Sequence, residues 1–266
     1  MTAAVFFLGL CMVLYPPVSD FVCGSLQARR ISSYTQTVEQ CSAEEHARML
    51  SEAEQFNEEL RAQPFSMELS PEQTERYKSQ LDPVGNGVMG YIQIPAIRIS
   101  LPVYHGIGDS ALGAGAGHVP GSSLPVGGSG THCLIAGHTG LSSSQLFTNL
   151  DRLKEGDAFS VTVLERKLYY CVCDVRVVTP EETHSLRPVE GEDLCTLITC
   201  TPYGVNSHRL LVTGRRYTPA AGQEAAERCV LNPYRIAAAC VSVILIMLFL
   251  GILAGREKRT MQDRNN

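Results

Sequence analysis

Apolar positions change their rhythm along the chain, and each change marks an element. Residues 1–18, MTAAVFFLGLCMVLYPPV, form a nearly unbroken apolar run. No Lys or Arg precedes it, so a secretory signal of the usual form is poorly matched; an N-terminal anchor over 1–22 is the preferred reading, with a cleaved signal as the alternative. Over residues 38–61 the apolar positions take a helical spacing: Met49, Ala53, Phe56 and Leu60 fall on one face, which predicts a helix there. A second helix is announced by SPEQTERYKSQL from Ser70, with Ser70 as N-cap, Pro71 in the first helical position and Gln73 completing a capping box. Between them lies QPFSMEL, a short segment with an exposed-looking Pro64 and Phe65, and DPVGNG at 82–87 is a turn.

From Met89 onward the period falls to two. GYIQIPAIRISLPVYHG alternates as strands do, and THCLIAGH, AFSVTVLE, KLYYCVCDVRVV, LCTLITC and HRLLVTGRRY follow, separated by turn residues. Several short strands without long helical crossovers predict an all-β barrel or sandwich. The glycine-rich stretch 113–130 reads as loop; it lacks the Gly-Lys-Ser/Thr ending of a phosphate loop and has no helix after it. Residues 218–235 read as a polar linker. Residues 236–254, IAAACVSVILIMLFLGILA, carry no charge and no proline. As a helix they would reach roughly 28 Å, close to the thickness of a bilayer core, which predicts a transmembrane span. Arg256, Lys258, Arg259 and Arg264 in the tail 255–266 then put that tail in the cytoplasm and the preceding domain on the extracellular face.

Composition narrows the chemistry. A net charge of −5 without a basic block argues against nucleic acid. There are ten cysteines but no Cys-x-x-Cys pair, which argues against zinc, and no metal or cofactor is expected. Cys171 and Cys173, two apart on a strand, are expected to share a face. One or two disulfides outside the cytoplasm and a fully reduced set of thiols are both open, because spacing cannot pair them.

The segment TLITCTPYGVNSHRLLVTGRR, 196–216, sets Cys200 and Arg209 on either side of a Thr-Pro-Tyr-Gly turn. A free thiol is only about 3% ionised at neutral pH, so a nucleophilic cysteine needs a cation or a base beside it. Arg209 would lie close if Thr201–His208 joined two antiparallel strands. Its guanidinium stays charged, so it can supply donors to an oxyanion but not move protons. Proton transfer falls to histidine, and seven compete: His46, His105, His118, His132, His138, His184 and His208. His46 falls on the arm helix, His132 within a strand and His208 in the turn itself. His138 follows the apolar CLIA at a strand end facing a loop, a usual place for a working residue. A histidine merely hydrogen-bonded in a loop fits the same position.

This segment closely resembles the active-site signature of the class C sortases, the pilin polymerases of Gram-positive bacteria. GVMGYIQIPAI is similar to their first barrel strand, and SLPVGGSGTHCLIAGHTGLSSSQLFTNLDRLKEGD to their histidine region. The resemblance runs from about residue 40 to the end. It implies an eight-stranded sortase β-barrel over 87–217, preceded by a helical arm and lid over 23–86 and followed by the C-terminal transmembrane helix. It implies Cys200 as nucleophile, His138 as general acid/base and Arg209 as oxyanion stabiliser. The implied reaction cleaves an LPXTG-like sorting signal between Thr and Gly through a thioester, then transfers the acyl group to a lysine amine of a pilin subunit. The membrane and pilin subunits are the implied partners. Where these enzymes carry an Asp-Pro-aromatic lid motif, this chain has Gln63-Pro64-Phe65, so a lid is expected to be held by Phe65 packing and a neutral hydrogen bond from Gln63. A housekeeping sortase that anchors proteins to peptidoglycan and, further off, an inactive pilus-assembly scaffold are the alternatives.

Overall fold

The structure, a computed structural model, describes residues 2–140 and 144–219. The predicted C-terminal span at 236–254, the cytoplasmic tail and nearly all of the linker lie outside the described residues.

Eight strands close into one barrel: β1 (Val88–Ile94), β2 (Ile99–His105), β3 (Ala116–His118), β4 (Thr131–Ala136), β5 (Ala158–Val163), β6 (Arg166–Val178), β7 (Asp193–Thr201) and β8 (His208–Tyr217). Their order around the barrel is β1-β2-β3-β4-β7-β8-β6-β5. β4 and β7 are parallel, as are β2 and β3; every other neighbouring pair is antiparallel. The period-two pattern decides which side chains go inside. Ile92, Ile94, Val103, Ile135, Phe159, Val161, Leu197 and Val212 are all essentially buried and fill the barrel. The alternate residues of β4, β7 and β8 face outward, and part of that outer face is apolar too, with Leu134 and Leu211 buried under a second layer.

The all-β expectation holds for the domain from Val88, and closure to a barrel resolves the barrel-or-sandwich alternative. Two local expectations change. The stretch 113–130 is not all loop, since Ala114 ends α4 (Asp109–Ala114) and Ala116–His118 form β3. A β-bulge between Val172 and Asp174 falls on Cys173, so the strict alternation that would give Cys171 and Cys173 one face is broken there.

The helical arm is longer than its periodicity suggested. α1 runs from Thr2 to Gln40, and α2 (Ala43–Arg61) starts anew after Ser42. The predicted helix over 38–61 is therefore interrupted at Cys41–Ser42. The cause is a capping box missed in the sequence: Glu45 N donates to Ser42 Oγ at 3.2 Å and Ser42 N to Glu45 Oε2 at 2.9 Å. The box predicted for the next helix is present, with Ser70 capping α3 (Pro71–Ser79) through Gln73. Of the expected face, α2 buries Ala53 and Phe56 and leaves Met49 and Leu60 half-buried against the core; it also buries Leu50 and Asn57, whose side chain donates to Leu124 O at 3.1 Å and accepts from Leu124 N at 2.7 Å.

α1 packs on the barrel along one stripe in which Gln27, Tyr34 and Val38 are buried. Tyr34 Oη donates to Met89 O at 3.0 Å and accepts from Leu164 N at 2.7 Å, and Arg30 donates to Tyr104 Oη at 2.8 Å. Nearer its start, Gln27 Nε2 reaches Ser144 Oγ at 3.4 Å and Asp20 Oδ1 accepts from Gln145 N at 3.1 Å. N-terminal to Asp20 the helix continues back to Thr2. It is long and apolar enough to cross a membrane, and none of its most apolar window is buried.

Candidate active site

Strand register assembles the site. In the antiparallel ladder of β7 and β8, Cys200 lies directly opposite Arg209. Opposed residues share a face, with Cβ atoms about 4.5–5.5 Å apart. Parity gives that face: Cys195 and Leu197 of β7 and Leu210 and Val212 of β8 point into the core, so Cys200 and Arg209 point out. Both are half-buried. The turn Pro202–Ser207 that joins the strands is held by Val205 N and Asn206 N donating to Pro202 O at 3.0 and 2.9 Å. Arg209 Nη1 donates to the carbonyls of Asn206 and His208 at 3.2 and 3.1 Å, which holds the guanidinium against the loop; it makes no ion pair with any described residue.

His138 arrives from the other side. β4 runs parallel to β7 with Ala136 opposite Ile198, so two residues further on His138 comes level with Cys200. The parallel course continues past the end of β4: Gly137 N donates to Ile198 O at 2.9 Å, and Thr199 Oγ1 donates to Gly137 O at 2.7 Å. His138 O then accepts from Phe147 N at 3.0 Å and closes the loop. Glycine is required at 137, because a Cβ there would sit 2.6 Å from the Phe147 ring. The His138 ring is half-buried and makes no hydrogen bond to a described residue. The β7–β8 turn meets this loop, since a Cβ on Gly140 would lie 3.3 Å from the Tyr203 ring. Three neighbouring strands, β4, β7 and β8, thus bring His138, Cys200 and Arg209 together at one end of the barrel's outer face.

The other histidines are engaged elsewhere. His118, buried, takes Tyr77 Oη at 3.0 Å on Nδ1 and pairs Nε2 with Ser123 O at 2.9 Å. His105 bridges Gly87 O and Gln80 O at 3.1 and 2.7 Å. His132 is fully buried, with Nδ1 3.0 Å from Arg187 O and Nε2 2.7 Å from Thr196 Oγ1. A carbonyl only accepts, so Nδ1 carries the proton and Nε2 accepts from Thr196, whose oxygen is 2.8 Å from Thr213 Oγ1. Burial pushes His132 and His105 below the ordinary imidazole range, and their bonds to backbone carbonyls act against that shift. His46 is on α2, His184 in a short helical turn, and His208 exposed at the start of β8.

The segment predicted as a lid crosses the same outer face. Phe65 and Met67 pack against a cluster of Val119, Leu134, Leu186 and Leu211, joined by Ala136, Val178 and Ile198. Ile198 and Leu211 are the outward residues next below Cys200 and Arg209 on their strands. Pro64 is exposed. Gln63 Oε1 accepts from Gln73 Nε2 at 3.1 Å, a neutral bond within the arm that reaches α3 rather than Arg209. Gly121, at φ 79°, admits the segment: a Cβ there would collide with the Ser66 carbonyl and lie 2.8 Å from Met67 Cα. A cavity of about 700 Å³ opens under the arm beside Arg61, Gln63, Ser129 and Glu190. It sits at the opposite end of β7 from Cys200 and holds none of the three residues above.

Sequence reasoning missed the parts that position the chemistry: Thr199 and Gly137, which carry the β4–β7 register to His138, and the buried His132–Thr196–Thr213 chain beneath. The eight cysteines among the described residues are all thiols, and no group of metal-ligating side chains is assembled there.

A closed eight-stranded barrel thus pairs a cysteine and an arginine across neighbouring strands and brings a histidine in beside the cysteine. The family model for the sortase domain matches residues 92–217. Sortase C1 from Streptococcus agalactiae is 41% identical, with a TM-score of 0.70 over 72% of this chain and 100% of that one. Sortase C-1 from Actinomyces oris is 48% identical, with a TM-score of 0.61 over 66% of this chain and 99% of that one. Sortase A of Streptococcus agalactiae serotype III (strain NEM316) is 33% identical over 117 residues, 43% of this chain and 47% of that protein. The chain spans about half the length of the first curated relatives it matches. The protein belongs to the sortase family, and its structural neighbours include class C sortases.

Proposed function

We propose that this sortase is a membrane-held cysteine transpeptidase of the pilin-polymerising kind. Cys200 attacks the threonine carbonyl of an LPXTG-like sorting signal, and negative charge develops on that oxygen. Arg209, opposite Cys200 in the β7–β8 ladder, donates to the oxyanion once substrate draws its guanidinium from the carbonyls of Asn206 and His208. His138 protonates the departing glycine amine, the Thr–Gly bond breaks and a thioester to Cys200 forms. A pilin lysine amine then attacks the thioester, giving an isopeptide bond and returning the thiol. The observation that carries this reading is the direct opposition of Cys200 and Arg209 on the outer face, beside an apolar strip able to take the signal's leucine and proline.

The arm segment 63–69 favours the class C reading over the housekeeping alternative. It occupies the apolar strip next to Cys200, as a lid would, with Phe65 as its anchor. α1 supports membrane attachment, and the basic residues Arg256, Lys258, Arg259 and Arg264 are the reason for proposing the 255–266 tail inside the cell and the barrel outside. The test supplies an LPXTG-type peptide with either a lysine-bearing pilin peptide or a peptidoglycan-type amine. An isopeptide product with the lysine peptide supports the proposal; product only with the wall-type amine would return it to the housekeeping class.

A further inference from the structure

Beyond that reading, the geometry points to an active-site end that lies on the lipid surface, with the β7–β8 turn dipping Tyr203 and Val205 into the membrane interface. We propose that the partner of this apolar tip is the bilayer in which α1 is anchored.

The direction of α1 is the first observation. Its contacts run along the barrel from Val38 and Tyr34, which bonds Met89 and Leu164, through Arg30 at Tyr104 to Gln27 and Asp20 at Ser144 and Gln145. In the β1–β2 ladder Val88 pairs with Tyr104 at one end and Ile94 with Ile99 at the other. β2 runs parallel to β3, and β3 antiparallel to β4, so the Val88 end of the barrel is the end away from His138. The helix therefore climbs toward the His138 end. Gln27 and Asp20 bond the loop that follows His138, and residues 2–19 continue the helix from that end over roughly 25 Å of its length. Those residues are the apolar ones. A membrane that takes them up begins at the catalytic end of the barrel, not at the end that carries Asp193 and Tyr217.

The second observation is the turn itself. Tyr203 and Val205 are 68% and 70% exposed, and Tyr203 rests on Gly140 of the same loop whose Gln145 is bonded to Asp20. A tyrosine with an apolar body and a polar tip, beside an exposed valine, suits the headgroup boundary of a bilayer. Val18, Phe21 and Val22 of α1 are also exposed, and they flank Asp20, which is bonded to that same loop. The 18 residues from 218 to 235 extend to at most about 60 Å, against roughly 27 Å for β7, so a second span at 236–254 is compatible with this orientation. Sorting signals attached to membrane-held precursors would meet Cys200 without leaving the interface.

The chain has no tryptophan, so single substitutions report cleanly. The full-length protein is reconstituted into vesicles of phosphatidylcholine and phosphatidylglycerol, with and without brominated acyl chains, as Tyr203→Trp, Val205→Trp, Val13→Trp in the anchor and Val189→Trp at the far end of the barrel. Brominated lipid is expected to quench Val13→Trp, Tyr203→Trp and Val205→Trp and to leave Val189→Trp bright. Quenching at Val13 alone keeps the anchor and overturns the proposal. Quenching at Val189 but not at Tyr203 or Val205 reverses the orientation and overturns it too. A blue-shifted Tyr203→Trp emission indifferent to brominated lipid assigns the tip to a protein partner instead. Absence of quenching at Val13 removes the anchor on which the inference rests. None of these readings depends on catalysis, so they stand apart from any failure of the transpeptidase assignment.

Discussion

Gly121→Ala displaces the 63–69 segment, the proposed lid, from the barrel without altering that segment or Cys200, His138 and Arg209. The Cβ it adds collides with the Ser66 carbonyl and lies 2.8 Å from Met67 Cα, where carbon atoms rest at about 3.5–4.0 Å. Backbone is the obstacle, so no side-chain rotation relieves it, and the segment must move outward by about 1 Å. Phe65 and Met67 flank that point, and their packing on the outer face is what the shift spoils. Full burial of such a side chain contributes about 1.5–3 kcal/mol; both are half-buried, so roughly 2 kcal/mol in total is at stake. That moves a closed-to-open equilibrium by roughly 30-fold. The left-handed backbone at 121 adds about 1–2 kcal/mol of strain, which lowers the melting temperature by several degrees. Gly156→Ala supplies the control, since its φ is 93° and nothing lies within 4 Å of the added Cβ. The assay is the initial rate of acyl-enzyme formation with an LPXTG-type peptide, alongside thermal unfolding. Gly121→Ala and Phe65→Ala are expected to accelerate acylation by up to that factor, while Gly156→Ala only loses stability. A folded Gly121→Ala protein that acylates no faster than wild type would refute a guarding role for the segment.

Three further outcomes follow from the same geometry. Gly137→Ala sets a Cβ against the Phe147 ring and displaces His138; acylation is expected to fall at least tenfold, roughly the effect of 1.4 kcal/mol on the barrier, with Cys200 still present and alkylatable. Asn57→Ala strands both backbone groups of Leu124, and a loss of about 2–4 kcal/mol is expected in denaturant unfolding, with an unchanged value contradicting the clamp. His132 and His105 titrate below the ordinary imidazole range when folded, so the unfolded chain binds the extra protons. Their share of stability is complete above about pH 6.5 and drains away as pH falls toward the folded values. Melting temperature should drop from pH 7.5 to 5, and His132→Gln should flatten part of that slope; an unaltered slope would contradict the assignment.

Much of the site was legible because its residues sit within one strand-turn-strand. Cys200 and Arg209 lie nine positions apart around a Pro-Tyr-Gly turn, and that spacing fixes an opposed pair once both flanks are strands. His138 was readable as a strand-end residue, but its partnership with Cys200 depends on β4 and β7 running parallel, a pairing of segments far apart in sequence that no local pattern encodes. Thr199 and Gly137 were silent for the same reason. The barrel interior was legible from alternation, whereas the three-residue β3 was hidden among glycines because two neighbouring strands, not its own propensity, hold it extended. The break at Ser42 was written in Ser42 and Glu45, yet the apolar spacing running through it masked the capping box. Gln63 shows the limit of motif transfer: its position matched a lid motif, but its hydrogen bond goes to Gln73, a partner visible only after α3 has folded back against the arm.

The most direct test of the central claim is intact-mass spectrometry of the full-length protein incubated with an LPXTG-type peptide, run for wild type, Cys200→Ala, His138→Ala and Arg209→Ala. A mass increase equal to the peptide acyl fragment ending at threonine, present in wild type, abolished by Cys200→Ala and strongly slowed in the other two, is the expected result. An adduct that persists without Cys200, or forms at the wild-type rate without Arg209, would contradict the assignment of the β7–β8 pair as nucleophile and oxyanion donor.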